Sequence, residues 1–283
     1  MGHLGWDYLQ HLAATGRREK ILALDLFSPD SARRESVEQL RRSNPSQPKL
    51  EFITMDLLKT PIEELAEAID DIDSVVHFAA VNPFQDATAT EAAASISITD
   101  KLFRAFRSEQ QARRFVFASS NHVMGRYKDP PLRKSIGPGK LTTSLPTSPG
   151  TLLPGAGRYA DSTLYALAKI AGEKMGQDWA TRSGASATCV SIRIGACKPG
   201  EDPPPYSPAD SEPDPNISWV RNLWLTVNDF HTLFDLALEA DSQNWPAPAI
   251  IVNGMSANTD MVWSLEEGRV WLNYEPKDDV HRG

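Results

Sequence analysis

Ser120, Tyr165 and Lys169 are the three side chains of this sequence best suited to chemistry. Tyr165 and Lys169 are spaced i and i+4, so on a helix they share a face, a phenol one turn from an ammonium. A free tyrosine has a pKa near ~10 and is a poor base at neutral pH. Bringing it to ~7 needs roughly 4 kcal/mol of preferential stabilisation of the phenolate. A cation about 4 Å away at an effective dielectric near 20 supplies about that much. Ser120 closes the apolar run Phe115-Val-Phe-Ala-Ser-Ser120, where its hydroxyl can steady charge developing on a substrate oxygen. Taken singly, a Tyr–Lys pair is often a solvent-facing helix pair, and Ser119-Ser120 often caps a strand end. A strand ending in Ser120, a loop, and then a helix bearing Tyr165 and Lys169 together describe proton transfer to and from a hydroxyl.

Alternating elements hold these groups. Apolar runs at Lys20–Phe27, Leu50–Thr54, Ser74–Phe78, Arg114–Ala118, Ser186–Ile194 and Pro248–Asn253 read as buried strands. Between them, 31–40, 61–69, 90–106, 162–181 and 228–240 read as helices. Strand–helix alternation predicts an α/β fold with a doubly wound, mostly parallel Rossmann-type sheet. Ligands of such sheets bind outside the carboxyl ends of the strands, where Asp25, Asp56, Ala79, Ser120 and Gly195 fall. We expect one domain over 1–283, with a small C-terminal substrate-binding part within 198–283. Two segments fit no compact sheet: 128–160, rich in Pro, Gly, Ser and Thr, and 198–216, which holds Pro203-Pro-Pro205 and many acids. They read either as lids over the site or as surface insertions.

The N-terminus carries half of a dinucleotide signature. Met1-Gly-His-Leu-Gly5 matches the last two glycines of a G-x-x-G-x-x-G turn, and 6–14 starts its helix. The first strand, normally central in the sheet, would lie upstream of Met1. Losing such a strand forfeits on the order of 10 kcal/mol. The expectation is therefore a chain truncated within the glycine motif, or a sheet rebuilt another way. Asp25, ~20 residues beyond the glycines, is placed to accept from both ribose hydroxyls and to repel a 2′-phosphate, which favours NAD over NADP. As a helix cap it is poorer than Ser28 or Asp30.

Bulk composition sets the remaining bounds. The net charge of -8 argues against a nucleic-acid surface. No apolar run reaches ~18 residues and no signal pattern opens the chain, so no membrane partner is expected and a cytoplasmic location is. Cys189 and Cys197 read as core thiols too far apart for a disulfide, and the six histidines form no metal-ligand pair. Asn216-Ile-Ser218 is a formal sequon that we read as chance.

These residues resemble the extended short-chain dehydrogenase/reductase superfamily in its NAD-dependent epimerase/dehydratase branch, and most of all its uronate dehydrogenases. The resemblance rests on Phe117-Ala-Ser-Ser-Asn-His122 with Gly125, Tyr165-x-x-x-Lys169, and Val190-Ser-Ile-Arg-Ile-Gly195 with Cys197. Asn253-Gly-Met-Ser-Ala-Asn258 and Tyr274-Glu-Pro-Lys-Asp278 extend it over nearly the whole chain. It implies an oxidoreductase with Tyr165 as base, Lys169 as activator and Ser120 as hydroxyl partner. NAD would be held by Gly2, His3, Leu4, Gly5, Asp25, Asp56, Leu57, Ala79, Ala80, Ser119, Lys169 and Ile194. Asn82, Ser120, Asn121 and His122 would meet a sugar-acid substrate, a hexuronate oxidised at C1 to an aldarolactone. A homo-oligomer is a family expectation. The sequence departs from the pattern at Ala196, where a substrate serine is usual, and at Ser95, where a helix asparagine is usual. The carboxylate-clamping arginine has no clear match, with Trp219 near its place and Arg221 two residues on. A nucleotide-sugar epimerase shares the same trio, but little chain follows Tyr165 to build a nucleotide pocket. A non-catalytic binding relative is the third reading.

Overall fold

The computed structural model describes residues 2–82, 86–107, 113–155, 158–183, 187–205 and 215–282. Helix α1 (His3–Thr15) leads into β1 (Lys20–Asp25), α2 (Ser31–Arg42), β2 (Lys49–Thr54), α3 (Ile62–Ala68), β3 (Ser74–His77) and α4 (Ala89–Ala105). Then follow β4 (Arg113–Ser120), a hairpin of β5 (Leu152–Gly155) and β6 (Arg158–Asp161), α5 (Thr163–Arg182), β7 (Ala187–Ile194), α6 (Pro215–Asn222), α7 (Val227–Glu239), β8 (Ala249–Gly254) and α8 (Glu266–Leu272). The predicted strands and helices are present with ends shifted by up to three residues. The hairpin, α6 and α8 are additions that the periodicity did not show. Much of the 198–216 segment lies outside the described residues.

Strand pairing gives two parallel sheets. One has the order β3-β4-β7-β8; the other is the pair β1-β2. The fold is thus doubly wound α/β, and among the described residues no strand pairing joins β1 to β3. Lys20 Nζ, at the start of β1, reaches Asp71 Oδ2, just before β3, at 2.7 Å, an exposed ion pair that links the starts of the two strands. Among the described residues no strand pairs with the second edge of either.

Helices hold the two sheets together. On one face Leu22, Leu24 and Ile53 pack into a core with Leu65, Ile98, Leu102, Phe115, Phe117 and Trp179, joining β1 and β2 to α3, α4, β4 and α5. On the other face Tyr8 of α1 meets Phe78, Phe230 and Phe234, with ring centroids 5.6–6.2 Å apart. Strand β4 alternates between the two layers: Phe115 and Phe117 enter the first core, Val116 and Ala118 the second. The strands beside the interruption are less covered. Leu22, Leu24, Val75 and Val76 are half-buried, whereas Phe115, Val116 and Val190 are fully buried.

Candidate active site

Strand β4 delivers Ser119 and Ser120 to the carboxyl end of the sheet, and the chain then tightens into a 3-10 segment, Asn121–Lys128. Ser120 Oγ caps that segment by accepting the His122 amide at 3.2 Å. Helix α5 places Tyr165 and Lys169 one turn apart, and Tyr165 lies beside the Ser120 hydroxyl. The three groups singled out from the sequence therefore meet. Burial pushes the Tyr165 phenol up to about 12, and the nearby Ser120 hydroxyl opposes that rise. Lys169 is buried, donates to the Ala118 carbonyl at 2.7 Å, and lies 5.6 Å from the centre of the Tyr165 ring. Burial brings its ammonium down to about 8, against the pull of Glu173.

His122 stands edge-on to Tyr165, with ring centroids 5.8 Å apart. Its Nδ1 lies 2.7 Å from Thr151 Oγ1 and 2.9 Å from Ser162 Oγ, both on buried residues. Ser162 Oγ also accepts the Thr151 amide at 2.7 Å, so the two hydroxyls that hold Nδ1 are tied to one loop end. Burial lowers the His122 pKa to about 4, so this imidazole is neutral at pH 7. Gly125 makes the arrangement possible: a Cβ there would overlap Thr151 Oγ1 and the Gly150 carbonyl. Thr151 and Ser162 were not singled out from the sequence, because they come from the loop flanks rather than from a motif.

Other expected residues have different engagements. Asn121 Nδ2 donates to the Ile194 carbonyl at 3.0 Å, tying the end of β4 to the end of β7. Asn82, at φ 45°, directs its amide to Glu91 at 3.2 Å and Asp86 at 3.4 Å, bracing the start of α4. Ser95 Oγ accepts the Val81 amide at 2.9 Å and donates to the Val81 carbonyl, holding the exit of β3. Ala196 pairs by backbone with Leu223 and Leu225. Arg221 donates to the backbone carbonyls of Pro204, at 2.8 Å, and Val280.

The cofactor expectations fall in two groups. Ser119, Lys169 and buried Ile194 line the β4–β7 side, with Ala79 and Ala80 just past β3. Asp25 closes β1 and Asp56 stands just beyond the end of its partner β2; Asp25 Oδ1 accepts the Phe27 amide and Asp56 Oδ1 the Leu58 amide, each at 3.0 Å. Leu57 is buried among the core side chains and Leu4 packs at the core edge. Gly2 is the N-cap of α1 and no side chain caps that helix; a Cβ on Gly2 would meet nothing within 4 Å, and His3 beside it is exposed. An open helix N-terminus suits a pyrophosphate, and a carboxylate after the next strand suits a ribose. The residues present thus fit a dinucleotide at both ends. Among the described residues no cluster of His, Cys, Asp or Glu could hold a metal ion, and no helix is long and apolar enough to cross a membrane.

The chain is 28% identical over 217 residues, 75% of its length, to an NAD-dependent glucose-6-phosphate dehydrogenase of Haloferax volcanii, of which the match spans 71%. It is 29% identical to that organism's L-arabinose 1-dehydrogenase over 77% of the chain and 79% of the relative. A uronate dehydrogenase of Agrobacterium fabrum is 28% identical over 63% of the chain and 52% of the relative. Among solved structures, a glucuronic acid dehydrogenase from Chromohalobacter salexigens superposes with a TM-score of 0.69 at 22% identity, over 99% of this chain and 82% of that one, which is a likeness of fold. A family model matches residues 2–193, more than half of the chain, and the chain belongs to the NAD-dependent epimerase/dehydratase family.

Proposed function

We propose that this protein is an NAD-dependent dehydrogenase that oxidises C1 of a small cyclic sugar acid, a hexuronate, to its lactone. The observation that carries the proposal is the meeting of Ser120, Tyr165 and Lys169 at one strand end, with His122 fixed beside them. When bound, NAD supplies the hydride acceptor and a positive charge next to the phenol. Tyr165 takes the proton of the C1 hydroxyl. Ser120 Oγ donates to the same oxygen and holds it in line with the phenol. Lys169 carries the positive charge that favours the phenolate. His122 turns its Nε2 edge to a sugar hydroxyl, its ring fixed at Nδ1 by Thr151 and Ser162. The α1 N-terminus and Asp25 hold the two halves of the dinucleotide. The related sugar dehydrogenases support the class, and the uronate dehydrogenase of Agrobacterium fabrum supports the acid.

One observation favours a second substrate. The Arg221 guanidinium donates to two backbone carbonyls, so the side chain nearest the expected carboxylate clamp is already engaged. A neutral aldose, which needs no such clamp, is therefore the competing reading.

Calorimetric titration with NAD and NADP, followed by NADH formation on galacturonate, glucuronate, arabinose and glucose 6-phosphate, tests both. Saturable NAD binding with turnover of the uronates supports the proposal. Turnover of arabinose alone moves the assignment to the neutral sugar, and a folded chain that binds no NAD removes the enzyme reading.

A further inference from the structure

Behind Lys169 lies a buried charge arrangement that the proton-transfer scheme does not use. Glu173 is one turn beyond Lys169 on α5, so Tyr165, Lys169 and Glu173 form one line along the helix. Glu173 is 4% exposed and Arg193, on β7, is 2% exposed. Arg193 Nε donates to Glu173 Oε1 and its terminal nitrogen to Oε2, both at 2.9 Å, a bidentate pair. Ser119 Oγ donates to Oε1 at 2.6 Å, so the serine next to Ser120 holds the same carboxylate. Gly172 lets this part of α5 lie directly against β4, since a Cβ there would run into the Phe117 ring.

We infer that Glu173 is a positioning residue of this site: locked by Arg193 and Ser119, it is the countercharge that keeps the buried Lys169 ammonium protonated and aimed at the Ala118 carbonyl. The charges in this pocket support the role. Lys169 faces Tyr165 and Glu173 on its own helix, His77 on β3, the Ala118 carbonyl and Phe117 ring on β4, and, across Glu173, Arg193 on β7. His77 is neutral near pH 7, because burial, with Lys169 adding, lowers it to about 3. Glu173 supplies the carboxylate of this group, and Arg193 and Lys169 its cationic side chains. A buried ammonium without a countercharge gives up its proton. Ser119 thereby acts through Glu173, beside its expected place along the cofactor.

The inference rests on the proposed role of Lys169, and its test needs no substrate. The Cε resonance of Lys169, assigned by its loss in K169R, is followed from neutral to alkaline pH in the full chain. In E173Q the midpoint moves down by about one pH unit or more. In R193Q, which removes the opposing cation, it moves up. The E173Q/R193Q double variant keeps a neutral, hydrogen-bonded pair and returns the midpoint part of the way towards wild type, which covers the case of a single variant that does not fold. Where turnover is found, the alkaline limb of kcat/KM moves in the same directions. A midpoint that is unchanged, or that moves the same way in E173Q and R193Q, overturns the inference. Titration that shifts as expected in a chain that turns over no sugar leaves the pairing standing and rejects only the dehydrogenase reading.

Discussion

His11 and His231 stack face to face across α1 and α7, their ring centroids 4.1 Å apart and their planes inclined by 18°. Each imidazole has a carboxylate: His11 Nε2 lies 2.9 Å from Asp235 and His231 Nε2 lies 2.6 Å from Asp7. Asp235 also accepts the Tyr8 hydroxyl at 2.9 Å and Arg17 at 3.3 Å. This clasp and the aromatic cluster around Tyr8 hold α1, the helix that opens on the glycine motif, against the four-stranded half of the protein. Asp235→Ala leaves the buried Tyr8 hydroxyl without its charged acceptor. We expect a loss of about 2–3 kcal/mol in urea unfolding, and about 1 kcal/mol for Tyr8→Phe. Equal losses in the two variants would show that the carboxylate does no more than pair with the phenol.

Acid weakens the fold through its buried histidines. His77 is 2% exposed, shares a hydrogen bond with Thr99 Oγ1 at 3.0 Å, and has its pKa lowered from 6.5 to about 3 by burial, with Lys169 adding. Between those two values the unfolded chain binds a proton at this site that the folded chain does not. The stabilisation is therefore present above about pH 6.5 and is lost as pH falls towards 3. The slope from this one group is up to about 1.4 kcal/mol per pH unit, and His122, lowered to about 4, works in the same direction. Urea midpoints measured from pH 7 down to about 5 should fall, and should fall less steeply in His77→Gln.

Most of this architecture was readable from period and punctuation. The apolar runs of β4 and β7 are buried on both faces, so they stand out as continuous strands, and the i, i+4 spacing of Tyr165 and Lys169 put both on one line of α5. The additions carry weaker signals. Helix α8 is only seven residues long, and the β5–β6 hairpin sits inside a Pro- and Gly-rich stretch whose composition reads as loop. Composition and spacing say which residue types are present, and they leave open where the hydrogen bonds of those residues go. Asn121 and Arg221 have the right types to touch substrate, yet their donors reach backbone carbonyls. Glu173 could have been noticed as a charge on the buried line of α5, and Arg193 as a charge in an otherwise apolar strand; a shared pocket is visible only after folding.

The interruption of the sheet has a dynamic consequence. Among the described residues, strands β1 and β3 have one hydrogen-bonded neighbour each and mostly half-buried side chains, while β4 and β7 have two neighbours and closed faces. Amide hydrogen exchange should therefore be at least about tenfold faster in β1 and β3 than in β4 and β7. Uniform protection across all four strands would mean that a further partner covers those edges in solution. Any slowing on addition of NAD should be concentrated in α1 and β1.

Close packing of α5 on β4 gives the last test. A methyl group at Gly172 would overlap the Phe117 ring, over which Lys169 Nζ lies 5.0 Å from the centroid. Gly172→Ala must either move the ring or lift the helix, at a cost of about 1–3 kcal/mol. Lifting the helix also draws Tyr165 away from Ser120, so turnover should fall by more than the stability change accounts for. Ser120→Ala provides the calibration, because it removes one hydroxyl without moving the helix. We expect kcat to fall by about 10²–10³ in Ser120→Ala with NAD affinity retained. In Gly172→Ala both kcat and stability should fall, and a variant that loses stability but keeps full kcat would place the Phe117 contact outside the control of the site.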